Sequence, residues 1–111
     1  MDHHDHETLL AEVALDDGWH LAGFAQYHRL PGGHGHADSA IVLEDAWQGQ
    51  GIGGVLARCL AEAAGLAGIV ALTGEVLSEN RRALGFIRAL APRLERRPHG
   101  TTTELVCWLS R

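Results

Sequence analysis

The residues best suited to binding chemistry are Trp47-Gln48-Gly49-Gln50-Gly51-Ile52-Gly53-Gly54. Four glycines fall within six positions, at 49, 51, 53 and 54. Glycine takes backbone conformations that a Cβ forbids, so such a turn can aim several N–H groups into one concave space. Downstream, Ile52, Val55, Leu56, Cys59, Leu60, Ala63 and Leu66 recur at i, i+3, i+4, i+7 spacing. That period predicts an amphipathic helix over 51–66. The first turn of a helix adds unpaired N–H groups and the positive end of the dipole. Together these make an anion site, most naturally for a phosphate or pyrophosphate. The bland alternative is a plain glycine turn. The apolar run Ala40-Ile41-Val42-Leu43 before it and the helix after it favour the anion site.

Other reactive side chains are few. All nine basic residues are Arg, which excludes a Lys-based P-loop, a Schiff base and a Lys general base. Cys59 lies on the predicted apolar helix face and Cys107 in a strand-like run, so both read as buried thiols rather than a disulfide or a nucleophile. His3, His4 and His6 with Asp2 and Asp5, and His34 with His36, have suitable ligand types. The first group sits in a mobile terminal arm, and the second lacks a third ligand, so no metal site is expected.

The elements that must position the turn follow from patterning. The chain has 111 residues, enough for a single domain, here 1–111 with 1–7 as a polar arm. Hydrophobic residues make up 46%, which argues against disorder. The net charge of −5 argues against nucleic-acid binding. No apolar run reaches about 18 residues and no signal-peptide pattern opens the chain, so a soluble cytoplasmic protein is expected.

Asp16-Asp17-Gly18 separates the apolar runs 8–15 and 19–30, a hairpin signal. Pro31-Gly32-Gly33 turns the chain into a third strand, 37–44, completing an antiparallel meander. After the helix, Ile69 to Leu77 reads as a fourth strand, parallel to the third. Ser78 N-caps a second helix with an apolar face of Ala83, Leu84, Ile87, Leu90 and Ala91, ended by Pro92. Residues 93–97 read as a short charged stretch, and 101–109 as the last strand.

This order of elements, with Gln48-Gly49-Gln50-Gly51-Ile52-Gly53 at its turn, resembles the GCN5-related N-acetyltransferase (GNAT) family. The hexapeptide fits that family's pattern of Arg or Gln, two residues, Gly, one residue, Gly or Ala. Trp47 and Leu43 also fit, and Glu75 to Asn80 looks like the family's fifth strand with the Asn that opens the next helix. The likeness is closest to protein-lysine acetyltransferase domains, through His28-Arg29-Leu30-Pro31 and Asp38, and spans nearly all of 8–109.

The resemblance implies an α/β acyl-CoA N-acyltransferase fold, a mixed sheet built as a meander followed by β-α-β-α-β. Compared with the family pattern, the chain begins at the second strand, so the first strand and two helices that shape the acceptor side are expected to be missing. It also implies acetyl-CoA as co-substrate and a primary amine, on a protein or a small molecule, as acceptor. The backbone of Ile41, Val42 and Leu43 would pair with the pantetheine arm. The turn from Gln48 through Gly49, Gln50, Gly51, Ile52 and Gly53 to Gly54 would hold the pyrophosphate, and Asn80 would hydrogen-bond the arm. Asp38 matches the place of the relatives' catalytic Glu, with Glu44 as an alternative base beside the cofactor strand. Many family members carry a Tyr seven residues after the helix-opening Asn; Ile87 stands there in this chain.

Two other readings compete. Gly49, Gly51 and Gly54, with Glu75 downstream, also satisfy the dinucleotide fingerprint G-x-G-x-x-G. That fingerprint needs a strand running straight into its first Gly, and here Glu44 to Gln48 intervene. The second is a non-enzymatic acyl-CoA-binding or regulatory module, or half of a homodimer that completes its sheet between chains.

Overall fold

The structure is a computed structural model that describes residues 5–32, 34–77 and 93–109. It contains one six-stranded sheet. Strands β1 (His6–Leu15), β2 (Gly18–Arg29) and β3 (His36–Leu43) form the expected antiparallel meander. A short 3-10 turn over Asp45–Trp47 leads to the helix α1 (Ile52–Leu66). Strands β4 (Ala71–Leu77), β5 (Arg93–His99) and β6 (Thr102–Trp108) complete the order β1-β2-β3-β4-β6-β5. Among the described strands only the β3–β4 pair is parallel.

Local chemistry explains the hairpins. Leu15 pairs with Gly18, so Asp16 and Asp17 form the turn tip and Gly18 follows with a φ of 124° that only glycine takes readily. Between Ala11 and Glu12 the β1–β2 register shifts, with Ala11 opposite Gly23 and Glu12 opposite Leu21. This bulge places Ala22 as the extra, buried residue. A Cβ on Gly23 would lie 2.3 Å from the Val42 carbonyl oxygen, so glycine is needed where β2 closes on β3.

Helix α1 packs on one face of β1, β2 and β3. Its Leu56, Leu60 and Ala64 meet Ala25, Tyr27, Ala37 and Leu72, with Leu9, Ala11, Ile41 and Leu43 around them. Leu60 is 2% and Tyr27 is 1% exposed, and each buried side chain of that size contributes about 2 kcal/mol by area. The buried stripe differs from the one the period predicts. Val55, Cys59 and Leu66 are exposed, Leu66 at 89%, while Ala57 and Ala64 are buried. Small alanines let the helix sit close to the sheet and rotate the contact stripe towards them.

Three further differences concern boundaries and thiols. β1 takes in His6 and Glu7, which the sequence assigns to a polar arm. The charged stretch 93–97 belongs to a strand, β5, at the sheet edge. There Arg97 faces Glu104 at 3.7 Å, and the Trp108 indole donates to Glu95 at 3.2 Å. Charges and Pro98 suit an edge strand, which has no outer neighbour to pair with. Cys59 is exposed rather than buried, whereas burial pushes the half-buried Cys107 thiol up to about 11. The second helix expected after Ser78, with Ala83, Leu84, Ile87, Leu90, Ala91 and Pro92, lies outside the described residues.

Candidate functional site

The parallel strands β3 and β4 pair over three positions only: His36 with Ala71, Ala37 with Leu72 and Asp38 with Thr73. Beyond them each strand follows its own antiparallel partner. β3 stays with β2 through Leu43, and β4 stays with β6 through Leu77. A wedge-shaped gap therefore opens between Ser39–Leu43 on one wall and Gly74–Leu77 on the other. On the β3 wall, alternate peptide groups turn away from β2 and towards the gap. Such groups need hydrogen-bond partners. An extended ligand carrying amides would supply them.

The closed end of the gap is tied by side chains. The Ser39 hydroxyl donates to the Thr73 carbonyl at 2.9 Å. The Thr73 hydroxyl lies 3.2 Å from Asp38 Oδ1 and 3.4 Å from the Ala37 carbonyl oxygen, so one proton is shared between two acceptors. A Cβ on Gly74 would sit 3.1 Å from the Ser39 carbonyl oxygen, so glycine lets the strands stay close at the point where they part.

The open end of the gap meets the glycine turn. Gly49 and Gly51 have φ of 82° and 86°, in the left-handed region that favours glycine. Gly51 is the N-cap of α1 and gives it no side-chain cap, and the first turn holds no acid. The first N–H bonded within the helix is that of Val55, to the Gly51 carbonyl at 3.2 Å. The amides of Ile52, Gly53 and Gly54 before it lack an intrahelical acceptor. A Cβ on Gly51 or Gly54 would meet nothing within 4 Å, so both glycines border open space. The opposite end of α1 differs, because Arg29 Nη2 donates to the Ala67 carbonyl at 2.8 Å. The protein thus supplies a charge complement at the C-terminal end of α1 and no acidic residue in its first turn.

The expected site residues fall at three places. Ile41, Val42 and Leu43 line the β3 wall; Ile41 and Leu43 turn towards α1, and Val42 points to the opposite, open face at 49% exposure. Gln48, Gly49, Gln50, Gly51, Ile52, Gly53 and Gly54 form the turn and first helical residues. The side chains of Gln48 and Gln50 brace that turn. Gln48 Nε2 donates to Leu43 O at 3.3 Å and to Asp45 Oδ1 at 3.2 Å, and Gln50 Nε2 donates to Ala46 O at 3.2 Å. The Gln48 N–H is also engaged, with the Asp45 carbonyl.

Asp38 stands at the closed end of the gap and Glu44 at its mouth, and both are exposed. Six residues of extended chain separate them by roughly 20 Å, so they cannot act on one atom. Asn80 lies outside the described residues. Ser39 and Thr73 join the site without any signal in the sequence, because they lie 34 residues apart and only strand register unites them. The competing dinucleotide pattern lacks its context: a 3-10 turn separates β3 from Gly49, and the strands before it are antiparallel.

Comparison with known proteins resolves the family. A model of the acetyltransferase (GNAT) family matches residues 1–91. The chain belongs to that family. Solved GNAT structures share its fold at low sequence identity. The GNAT domain of S. lividans PAT has a TM-score of 0.78 at 23% identity, covering 97% of this chain and 63% of that one. YncA, a putative acetyltransferase from Salmonella typhimurium solved with its cofactor acetyl-CoA, has a TM-score of 0.76 at 17% identity, covering 96% and 66%. Spermidine N-acetyltransferase SpeG from Vibrio cholerae has 0.72 at 15% identity, covering 96% and 67%. This GNAT chain therefore spans about two-thirds of the length of these relatives. No curated protein matches it significantly.

Proposed function

We propose that this GNAT chain is an N-acetyltransferase domain that moves an acetyl group from acetyl-CoA directly to a primary amine. The observation that carries the reading is the wedge between β3 and β4, leading from the Asp38–Thr73 pair to the uncapped start of α1. The two features suit the two parts of one ligand. Backbone amides at Gly49 to Gly54 match a diphosphate, and the stretch Ile41–Leu43, which runs past the last β3–β4 pair, matches an arm carrying amides.

Acetyl-CoA, when bound, supplies an activated thioester. The chain's own residues do the rest. The glycine turn binds the diphosphate, and the β3 backbone aligns the arm towards the closed end of the gap. Asp38 stands there, braced by Thr73, and attracts an incoming ammonium group by charge. Helix α1 covers the opposite face of the sheet, so the acceptor approaches over the open face. The acceptor is a Lys side chain or a polyamine, cations that an acidic chain of net charge −5 attracts. Free Cys59 and Cys107 suit a reducing, cytoplasmic setting.

A second reading is an acyl-CoA-binding module that pairs with another copy of itself. It is favoured by the open face of the sheet, where Leu10 is 64% and Trp19 is 70% exposed. Calorimetric titration with acetyl-CoA, followed by a thiol-release assay with spermidine and a lysine peptide, separates the two. Binding with release supports the enzyme, and binding without release supports the module. Absence of binding contradicts both.

A further inference from the structure

Resting on the acetyl-transfer reading above, we propose that His28 is the group that takes the proton from the acceptor's ammonium. Strand register carries the argument. His28 of β2 lies directly across from Asp38 of β3, and directly opposed residues of an antiparallel pair point to the same face. Asp38 is the last β3 residue paired to β4, so His28 stands one strand spacing, about 4.8 Å, from the wall of the gap at its closed end.

The face is also the right one. Tyr27 and Ala37, the neighbours of His28 and Asp38 in their strands, are buried in the core under α1. Side chains alternate along a strand, so His28 and Asp38 emerge on the opposite, open side. Among the described residues this is the side from which an acceptor reaches the gap. His28 is exposed, and its ring stacks on His6 of β1, its register partner on the other flank, at 5.7 Å between centroids and 25° between planes. The titratable groups that face His28 from neighbouring strands are His6 and Asp38 directly across, and His36 on the diagonal, two residues before Asp38 on the same face. Imidazole is the side chain whose charge changes between about pH 5 and 8, the range in which a base for a neutral-pH reaction is most effective.

The ammonium gives one proton to the His28 imidazole, while Asp38 holds the nitrogen by charge. The amine nitrogen forms its bond to the thioester carbonyl carbon, and the carbon–sulfur bond breaks. The second proton leaving the nitrogen goes to the departing thiolate. His28 returns its proton to bulk water, which its exposed ring contacts.

The test compares the wild-type chain with His28→Gln, and with His28→Asn as a second variant, using acetyl-CoA and spermidine or a lysine peptide. The proposal expects each variant to lose roughly a hundredfold in kcat and to change the shape of the pH profile of kcat/KM relative to the wild type. Acetyl-CoA affinity measured by calorimetry should change less than twofold. A variant that keeps the same pH profile and a rate within threefold overturns the proposal, as does one that loses acetyl-CoA affinity, since His28 is then structural. A wild type that binds acetyl-CoA but acetylates neither amine overturns the role of His28 and leaves the cleft standing. A wild type that binds none overturns the transfer reading itself.

Discussion

Gly51→Val perturbs the site where structure and function separate most cleanly. Gly51 has φ of 86°, and a Cβ there meets nothing within 4 Å. The substitution therefore creates no clash inside the protein. Its cost to folding is the backbone strain of a β-branched residue in the left-handed region, about 1–3 kcal/mol. For a domain of this size that lowers Tm by roughly 4–12 °C.

Its cost to binding comes from the other side of the same open space. In the proposed complex the diphosphate lies against the Ile52, Gly53 and Gly54 amides, and valine methyls at position 51 would project into the open space beside it. Losing two hydrogen bonds to a charged group costs about 3–6 kcal/mol, a rise in Kd of roughly a hundredfold or more. Gly100→Val is the matched control. Gly100 has φ of 65° with open space around it, in the β5–β6 turn at the far edge of the sheet. It should lose similar stability and keep its affinity for acetyl-CoA within twofold. Differential scanning fluorimetry and calorimetric titration give both quantities. The reasoning fails if Gly51→Val binds within threefold of wild type, or if Gly100→Val loses affinity to the same degree.

Three further predictions use the packing, the closed end of the gap and the thiols. Leu60→Ala should cost about 2–5 kcal/mol in urea unfolding, and Leu66→Ala less than about 0.5, because only Leu60 is buried. Asp38→Asn should lower kcat by at least about a hundredfold and Thr73→Val by roughly tenfold, with little change in acetyl-CoA Kd, since the proposed function sets this hydrogen-bonded pair at the thioester end and not at the diphosphate. At pH 8 a thiol reagent should label the exposed Cys59 quickly and Cys107 only on unfolding. The Cys107 thiol is raised from 9.0 to about 11 by burial, so above pH 9 the unfolded chain loses a proton that the native state keeps. Stability should then fall as pH rises from 9 to 11, and Cys107→Ala should flatten that fall in urea midpoints.

Much of the fold was legible in the residues. Asp16-Asp17-Gly18 marks the first hairpin because a two-residue tip followed by a positive-φ glycine has few alternatives. The glycine turn and the period after it mark α1. Its contact face was harder to read, because alanines such as Ala57 and Ala64 fit either side of a helix and Val55 and Leu66 only look like core. β5 was illegible for a different reason. Edge strands shed the apolar alternation that signals a strand, and Arg93 to Arg97 carries charges instead. The closed end of the gap depends on which residues stand beside each other across strands. Ser39 with Thr73, and His28 with Asp38, are facts of register that local pattern does not encode.

The central claim is that one ligand lies along the β3 wall with its diphosphate at the start of α1. Amide chemical shifts of the ¹⁵N-labelled chain during titration with coenzyme A test it most directly. The account predicts that the largest changes fall on Ile41 to Leu43 and Gly49 to Gly54. Changes confined to the opposite end of the sheet, around Gly68, Arg93 and Trp108, would contradict it.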